Sequence, residues 1–285
     1  MPIIIDGKAL SAKVTNSLKI ECEELKNNGI IPKLEIISVG NNEASKIYIK
    51  NKRKVFEQVG IECEENLLSS NIKQEKLIKK KKKFNEDKSV NGILLQSPIP
   101  DNLNINEAFI TISPEKDVDG FNPLNLGKLV LNQDSFVPCT TYGIMHIFEE
   151  YNINLECKNV VILGRSNIVG KPLAACCINK NATVTICHTK TQNIEEKIKD
   201  ADILISATGK AHFITKDMIK KNAVVIDVGI SRLSSGKIVG DVDFEQVKEK
   251  ASYITPVPGG VGPMTVAMLA YNVIKAAKRQ NNIIY

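Results

Sequence analysis

The sequence predicts a two-domain α/β protein whose second half is a doubly wound parallel sheet. Three observations carry this. Short apolar runs alternate with helix-period segments along the whole chain, and strands separated by helices pair in parallel. Between residues 159 and 228 there are four compact apolar runs, NVVILG, ATVTIC, DILISA and AVVIDV, each with the length and content of a central strand. The first of these ends at Gly164 and feeds directly into a helix, as a dinucleotide-type fold requires.

Taken in order, residues 8–27 space Leu10, Val14, Leu18 and Leu25 as a helix, and Asn28-Gly29 stops it. LEIISV (34–39) reads as a strand ended by Gly40, and residues 43–59 as a helix ended by Gly60. Gly92 to Gln96 is a short buried strand stopped by Pro98 and Pro100. Thr140 or Thr141 is the expected N-cap of a helix over 143–151. The four strands of the second half follow. The run PVPGGVGPMT (256–265) has no periodicity and predicts a stiff loop, which opens a final helix over 265–280. The expected division is 1–119 plus 265–285 as one domain, the last helix packing back, and 120–264 as a Rossmann-like nucleotide domain. Two motif sets in separate halves place the expected site in a cleft between the domains.

Composition narrows the function classes. A chain of 285 residues with 43% hydrophobic content has ample core. With no Trp and 5% aromatics, base-stacking surfaces are sparse. Part of the net charge of +6 comes from Lys79 to Lys83. That run lacks Arg and interleaved aromatics and has Glu75, Glu86 and Asp87 around it, so a solvated helix face is expected and nucleic acid is not. Seven cysteines without a CxxC pair or a zinc spacing read as reduced thiols, with no metal expected. No apolar run is long enough to span a bilayer and the first residues lack a signal-peptide core, so no membrane contact and a cytoplasmic location are expected.

The residues that carry chemistry fall into two groups. Gly164, Arg165 and Ser166 open the loop GRSNIVGKP, placed to hold a pyrophosphate at a helix N-terminus. A plain βα turn would use the same glycine. The next strand ends in Cys187-His188-Thr189-Lys190 with no carboxylate for a ribose 2′-hydroxyl. Arg165 and Lys190 suit a 2′-phosphate, so NADP is expected over NAD. In the first half, Tyr48 and Lys52 share a helix face at i and i+4, Gln96 ends a buried strand, and Asp119 lies in the polar loop KDVDGF. Read alone, Lys52 would be an exposed cation in a lysine-rich helix, Tyr48 half core and Gln96 a strand cap.

The combination YxxxK, a strand-ending Q, KDVDGF, GRSxxVGxP and PGGVGPMT, in this order, resembles the methylenetetrahydrofolate dehydrogenase/cyclohydrolases, over nearly the whole chain. The resemblance implies oxidation of 5,10-methylenetetrahydrofolate with NADP, then hydrolysis of the methenyl product to 10-formyltetrahydrofolate. It implies Lys52 as acid/base, Gln96 orienting it, Tyr48 against the pterin and Asp119 accepting hydrogen bonds from the pterin. It places Gly164, Arg165, Ser166, Thr189 and Ile230 at the cofactor, and Pro258, Gly259, Gly260 and Val261 beside folate and nicotinamide. The family is usually homodimeric, with residues 181–189 or the neighbouring strands as the candidate contact. One departure stands out: the family's Q-L-P is Gln96-Ser97-Pro98 here. A dehydrogenase-only member, a non-catalytic basic binding protein and an NADP enzyme of the shikimate dehydrogenase type are the competing readings.

Overall fold

The computed structural model describes residues 2–283. Its strands and helices run β1 (Ile3–Ile4), α1 (Gly7–Asn27), β2 (Lys33–Val39), α2 (Glu43–Val59), β3 (Glu62–Leu68), α3 (Gln74–Glu86), β4 (Gly92–Leu95), α4 (Ile105–Thr111), α5 (Pro123–Val130) and α6 (Cys139–Glu150). They continue β5 (Asn159–Leu163), α7 (Gly170–Asn179), β6 (Thr183–Cys187), α8 (Ile194–Lys199), β7 (Ile203–Ser206), β8 (Val224–Asp227), β9 (Ser231–Arg232), β10 (Ile238–Val239), α9 (Phe244–Val247), β11 (Tyr253–Ile254) and α10 (Val261–Gln280). The two-domain α/β fold with parallel sheets is the one expected.

The chain packs as two compact units. One comprises the segment ending at Ser11, residues 129–133 and 140–265; it carries a six-stranded sheet in the order β1-β11-β8-β7-β5-β6. Every pair in it is parallel. β5, β7 and β8 are almost wholly buried, which is why they read as continuous apolar runs. Leu163, Leu204, Val225, Ile198, Ile214 and Ile254 belong to the core cluster of this unit.

The other unit comprises residues 12–128, 134–139 and the segment from Val266 onward. Its parallel sheet has the order β3-β2-β4, and Ile37, Val39, Leu77, Phe84, Ile93 and Leu95 belong to its core cluster. α2 starts at Asn42, whose side chain accepts from Ser45 N, and ends at Gly60 in the left-handed region. In α10, the Asn272 amide donates to Val118 O at 2.8 Å and Val137 O at 3.1 Å, and Lys278 pairs with Glu21.

Several boundaries differ from expectation for physical reasons. Residues 2–11 group with the six-stranded sheet, because Ile3 and Ile4 pair with Tyr253 and Ile254. Residues 120–128 stay with the three-stranded unit. α6 starts at Cys139, so Thr140 and Thr141 lie in its first turn and do not cap it. α10 starts at Val261, inside the expected loop; Pro263 falls in the first turn, where no intrahelical N–H is needed. The lysine run is not a wholly solvated face. Five consecutive residues sweep the full helix circumference, so one must point inward, and Lys81 is fully buried in line with Leu77 and Phe84.

Candidate active site

In the three-stranded unit, α2 turns Ile49 and Phe56 into the core. Lys52 sits between them at i+3 and i−4, on the edge of that apolar stripe, so it is drawn inward while its neighbours Lys50 and Lys54 stay exposed. Its Nζ donates to Gln96 Oε1 at 2.9 Å. Gln96 is held by its own backbone, N donating to Ile37 O at 2.8 Å, and its Nε2 donates to Ser97 O at 2.7 Å. The amide is thus oriented by the main chain of residue 97, and the Ser97 side chain takes no part in that contact. Burial lowers the Lys52 pKa, opposed by the charge of Asp119 and by the thiols Cys139 and Cys63. Burial likewise raises Asp119, which Lys52 and a hydrogen bond with Cys139 pull back. Tyr48, one turn before Lys52, is 42% exposed and its hydroxyl is also raised by burial. The exposed-cation reading of Lys52 therefore gives way to a desolvated amine facing an amide and a carboxylate.

Three neighbours carried no signal beyond their type. Cys139, counted among reduced thiols, is buried with its pKa well above normal through burial and Asp119. Asn272 reaches it from α10, its Nδ2 3.7 Å from Cys139 Sγ. Asp117 is the anchor of the KDVDGF loop: its carboxylate accepts from Asn122 N at 2.7 Å, Asn125 Nδ2 at 2.8 Å and Phe121 N at 3.1 Å. Burial pushes it up to about 7. A cavity of about 550 Å³ lined by Ser38, Asn42, Arg53 and Glu65 opens in the same unit, and Lys52, Gln96 and Asp119 are not among its lining residues.

The six-stranded unit holds the other group at the C-terminal ends of its strands, where open α/β sheets bind ligands. Gly164 ends β5 at φ 119°, its N donating to Cys187 O at 2.8 Å. A Cβ on Gly170, which opens α7, would lie 2.1 Å from Gly164 O, so loop and helix meet where only glycine fits. Ser166 Oγ accepts from Val169 N at 3.1 Å and shapes the turn into α7. Arg165, Thr189 and Lys190 are exposed, and Ile230 is 50% exposed. No carboxylate stands among residues 187–191. This cradle fits a dinucleotide carrying a 2′-phosphate. In the loop before α10, Pro258 is exposed and Gly259 half-buried at φ 112°, while Gly260 and Val261 are buried. Lys52, Gln96, Asp119 and Tyr48 thus lie in one unit, and the glycine loops in the other.

Comparison with known proteins decides the family. The tetrahydrofolate dehydrogenase/cyclohydrolase catalytic-domain profile matches residues 5–119, and the NAD(P)-binding-domain profile matches residues 138–281. The chain belongs to the tetrahydrofolate dehydrogenase/cyclohydrolase family. It is 50% identical to Bifunctional protein FolD of Bacillus subtilis over 276 residues, 97% of this chain and 98% of that protein. The crystal structure of a bifunctional FolD methylenetetrahydrofolate dehydrogenase/cyclohydrolase from Campylobacter jejuni superposes with a TM-score of 0.97 at 48% identity, covering 98% of this chain and 99% of that one. The Trypanosoma brucei enzyme, complexed with NADP and an inhibitor, gives 0.94 at 35% identity, covering 98% of each chain. The family is the one the motif series resembles.

Proposed function

We propose that this chain oxidises 5,10-methylenetetrahydrofolate to 5,10-methenyltetrahydrofolate with NADP, and hydrolyses the product to 10-formyltetrahydrofolate. The observation that carries this is the desolvated Lys52 hydrogen-bonded to Gln96 beside Asp119, in a chain of this family that also keeps a 2′-phosphate-compatible dinucleotide cradle. NADP, when bound, accepts the hydride. The protein's share of that step is placement and exclusion of water. Gly164, Ser166 and Thr189 would line the cofactor, Arg165 would hold its 2′-phosphate, and the backbone at Ile230 would hold the nicotinamide amide. Pro258, Gly259, Gly260 and Val261 border folate and nicotinamide.

The hydrolytic step needs a base. An amine whose pKa is lowered by burial is neutral in a larger fraction at working pH and accepts a proton from the attacking water. Lys52 fills that role, and Gln96 Oε1 fixes its lone pair and orientation. Lys52 then returns the proton as the ring opens. Asp119 accepts hydrogen bonds from the pterin's amino and ring N–H groups, and Tyr48 packs against the pterin. Ser97 leaves the orientation of Gln96 intact, which disfavours a dehydrogenase-only enzyme.

The protein works as a cytoplasmic homodimer on folates, without nucleic acid or membrane. Among the described residues no helix is long and apolar enough to cross a membrane. β6 is an edge strand with Val184 and Ile186 half-buried, a surface suited to a second copy. The direct test is a spectrophotometric assay with 5,10-methylenetetrahydrofolate and either NADP or NAD, followed separately by decay of the methenyl chromophore. NADP-dependent reduction with accelerated decay is expected. Equal or greater specificity for NAD contradicts the Arg165 assignment, and reduction without decay contradicts the Lys52 assignment.

A further inference from the structure

Two buried carboxylates, Asp227 and Asp241, lie behind the C-terminal ends of β7 and β8, at 3% and 0% exposure. Neither has an ion-pair partner among the described residues. Asp241 Oδ2 gathers four donors from the end of β7: Ser206 Oγ at 2.9 Å, Thr208 N at 2.6 Å, Thr208 Oγ1 at 2.9 Å and Gly209 N at 3.3 Å. Asp227 Oδ1 accepts from Gly229 N at 2.9 Å and Asp241 N at 3.0 Å, and its Oδ2 from Val242 N at 2.9 Å. The Asp227 backbone is itself tied to the residue that follows β11, N donating to Thr255 Oγ1 at 2.7 Å. The two side chains thus stitch together three connections: the one after β7, the one after β8 and the one after β10.

The packing leaves no slack. A Cβ on Gly229 would lie 2.0 Å from Asp241 Oδ1, and one on Gly240 would lie 1.9 Å from Asp227 Oδ2. The clamp reaches the pyrophosphate loop as well, since a Cβ on Gly164 would lie 2.6 Å from Ala207 O, next to Thr208. A buried carboxylate is costly to desolvate. Holding two of them on backbone N–H groups is the arrangement expected where loop positions, and not bulk stability, are being specified.

In a doubly wound sheet the dinucleotide crosses the switch point, here between β5 and β7, so its nicotinamide half lies over the ends of β7 and β8. We propose that Asp241, with Asp227, is a positioning residue for the dehydrogenase step: it sets the loops after β7 and β8 that hold the nicotinamide in its reactive position. This rests on the reading of the six-stranded unit as the NADP-binding one. Misplacing a reactant by about 1 Å costs on the order of a hundredfold in rate. Hydrolysis of the methenyl product uses no NADP and depends on Lys52 in the other unit, so it reports folding independently.

The experiment measures both activities of the full chain as wild type, Asp241→Ala and Asp241→Asn. Asp241→Ala is expected to raise KM for NADP and lower dehydrogenase kcat, each at least ~tenfold. KM for the folate and cyclohydrolase turnover of the methenyl substrate should stay close to the wild-type values. Asp241→Asn keeps one side-chain oxygen for Ser206, Thr208 and Gly209 and should recover most of the loss. A merely structural role would lower kcat of both reactions through a smaller active fraction and leave KM for NADP unchanged. That result, or an Asp241→Ala enzyme matching the wild type beside it with NADP, overturns the clamp. The wild type in the same assay separates failure of the clamp from failure of the NADP-binding reading: if the wild type reduces no NADP, it is the reading of the unit that falls, and the clamp with it.

Discussion

The two units solve different physical problems with opposite means. In the three-stranded unit the side chains proposed for proton chemistry and pterin binding are desolvated and electrostatically tuned: burial lowers Lys52 and raises Asp119, and it pushes the loop anchor Asp117 up to about 7. In the six-stranded unit the side chains assigned to the cofactor, Arg165 and Thr189, stand exposed, while tight glycines fix the turn that carries Arg165 and buried carboxylates hold the loops after β7 and β8. Proton transfer depends on a matched pKa. Hydride transfer to a bound cofactor depends on placement. The distribution of burial between the units follows from that difference.

The largest expected effect breaks the chemistry of the first unit. Lys52→Met removes the proposed base and should lower cyclohydrolase turnover by roughly 10²-fold or more, while NADP affinity measured by titration stays unchanged. In the wild type, hydrolysis should fall in acid as Lys52 gains its proton, through a window below pH 10.5, the ordinary lysine value. The residual rate of the variant should lack that limb. A smaller effect is expected in the second unit. Arg165→Ala loses a charge-assisted contact worth about 1.5–3 kcal/mol, so kcat/KM for NADP should fall roughly ten- to a hundredfold while that for NAD changes little. Steady-state kinetics with both cofactors measures it.

The smallest effect concerns Lys81, whose Nζ donates to Ala108 O at 2.6 Å and whose pKa burial lowers from 10.5 to about 7. Between these two values the unfolded chain holds the proton and the folded chain does not. Stability therefore rises with pH above about 7 and is lost as pH falls towards it. Between pH 7 and 9 this group alone contributes up to about 2 kcal/mol, in the same direction as the other lowered lysines Lys52, Lys116 and Lys275. Urea unfolding of Lys81→Met should show a shallower rise across that range; an unchanged slope would place Lys81 outside the account.

The same contrast explains what the sequence made legible. β5, β7 and β8 are buried on both faces and announce themselves as apolar runs, and Gly164 marks the tight turn from β5 into α7, though a plain βα turn would use the same glycine. β3 is an edge strand reading ECEENLL, mostly exposed, so it carries neither alternation nor an apolar run. Lys81 and Lys52 are hidden in lysine-rich helices, where only the phase of Leu77 and Phe84, or Ile49 and Phe56, distinguishes an inward cation. Asp241 and Asp117 look like ordinary loop acids; their importance lies in backbone N–H partners, many of them distant in sequence, that no local pattern encodes. The proposed reactive set is legible by motif, while its energetics are not.

The most direct test of the division of labour is to assay both reactions on the same preparations of Lys52→Met and Arg165→Ala. Lys52→Met should lose hydrolysis and keep NADP binding, and Arg165→Ala should lower kcat/KM for NADP and keep hydrolysis. Parallel loss of both activities in either variant, with the fold intact by circular dichroism, would contradict the assignment of proton chemistry to one unit and cofactor placement to the other.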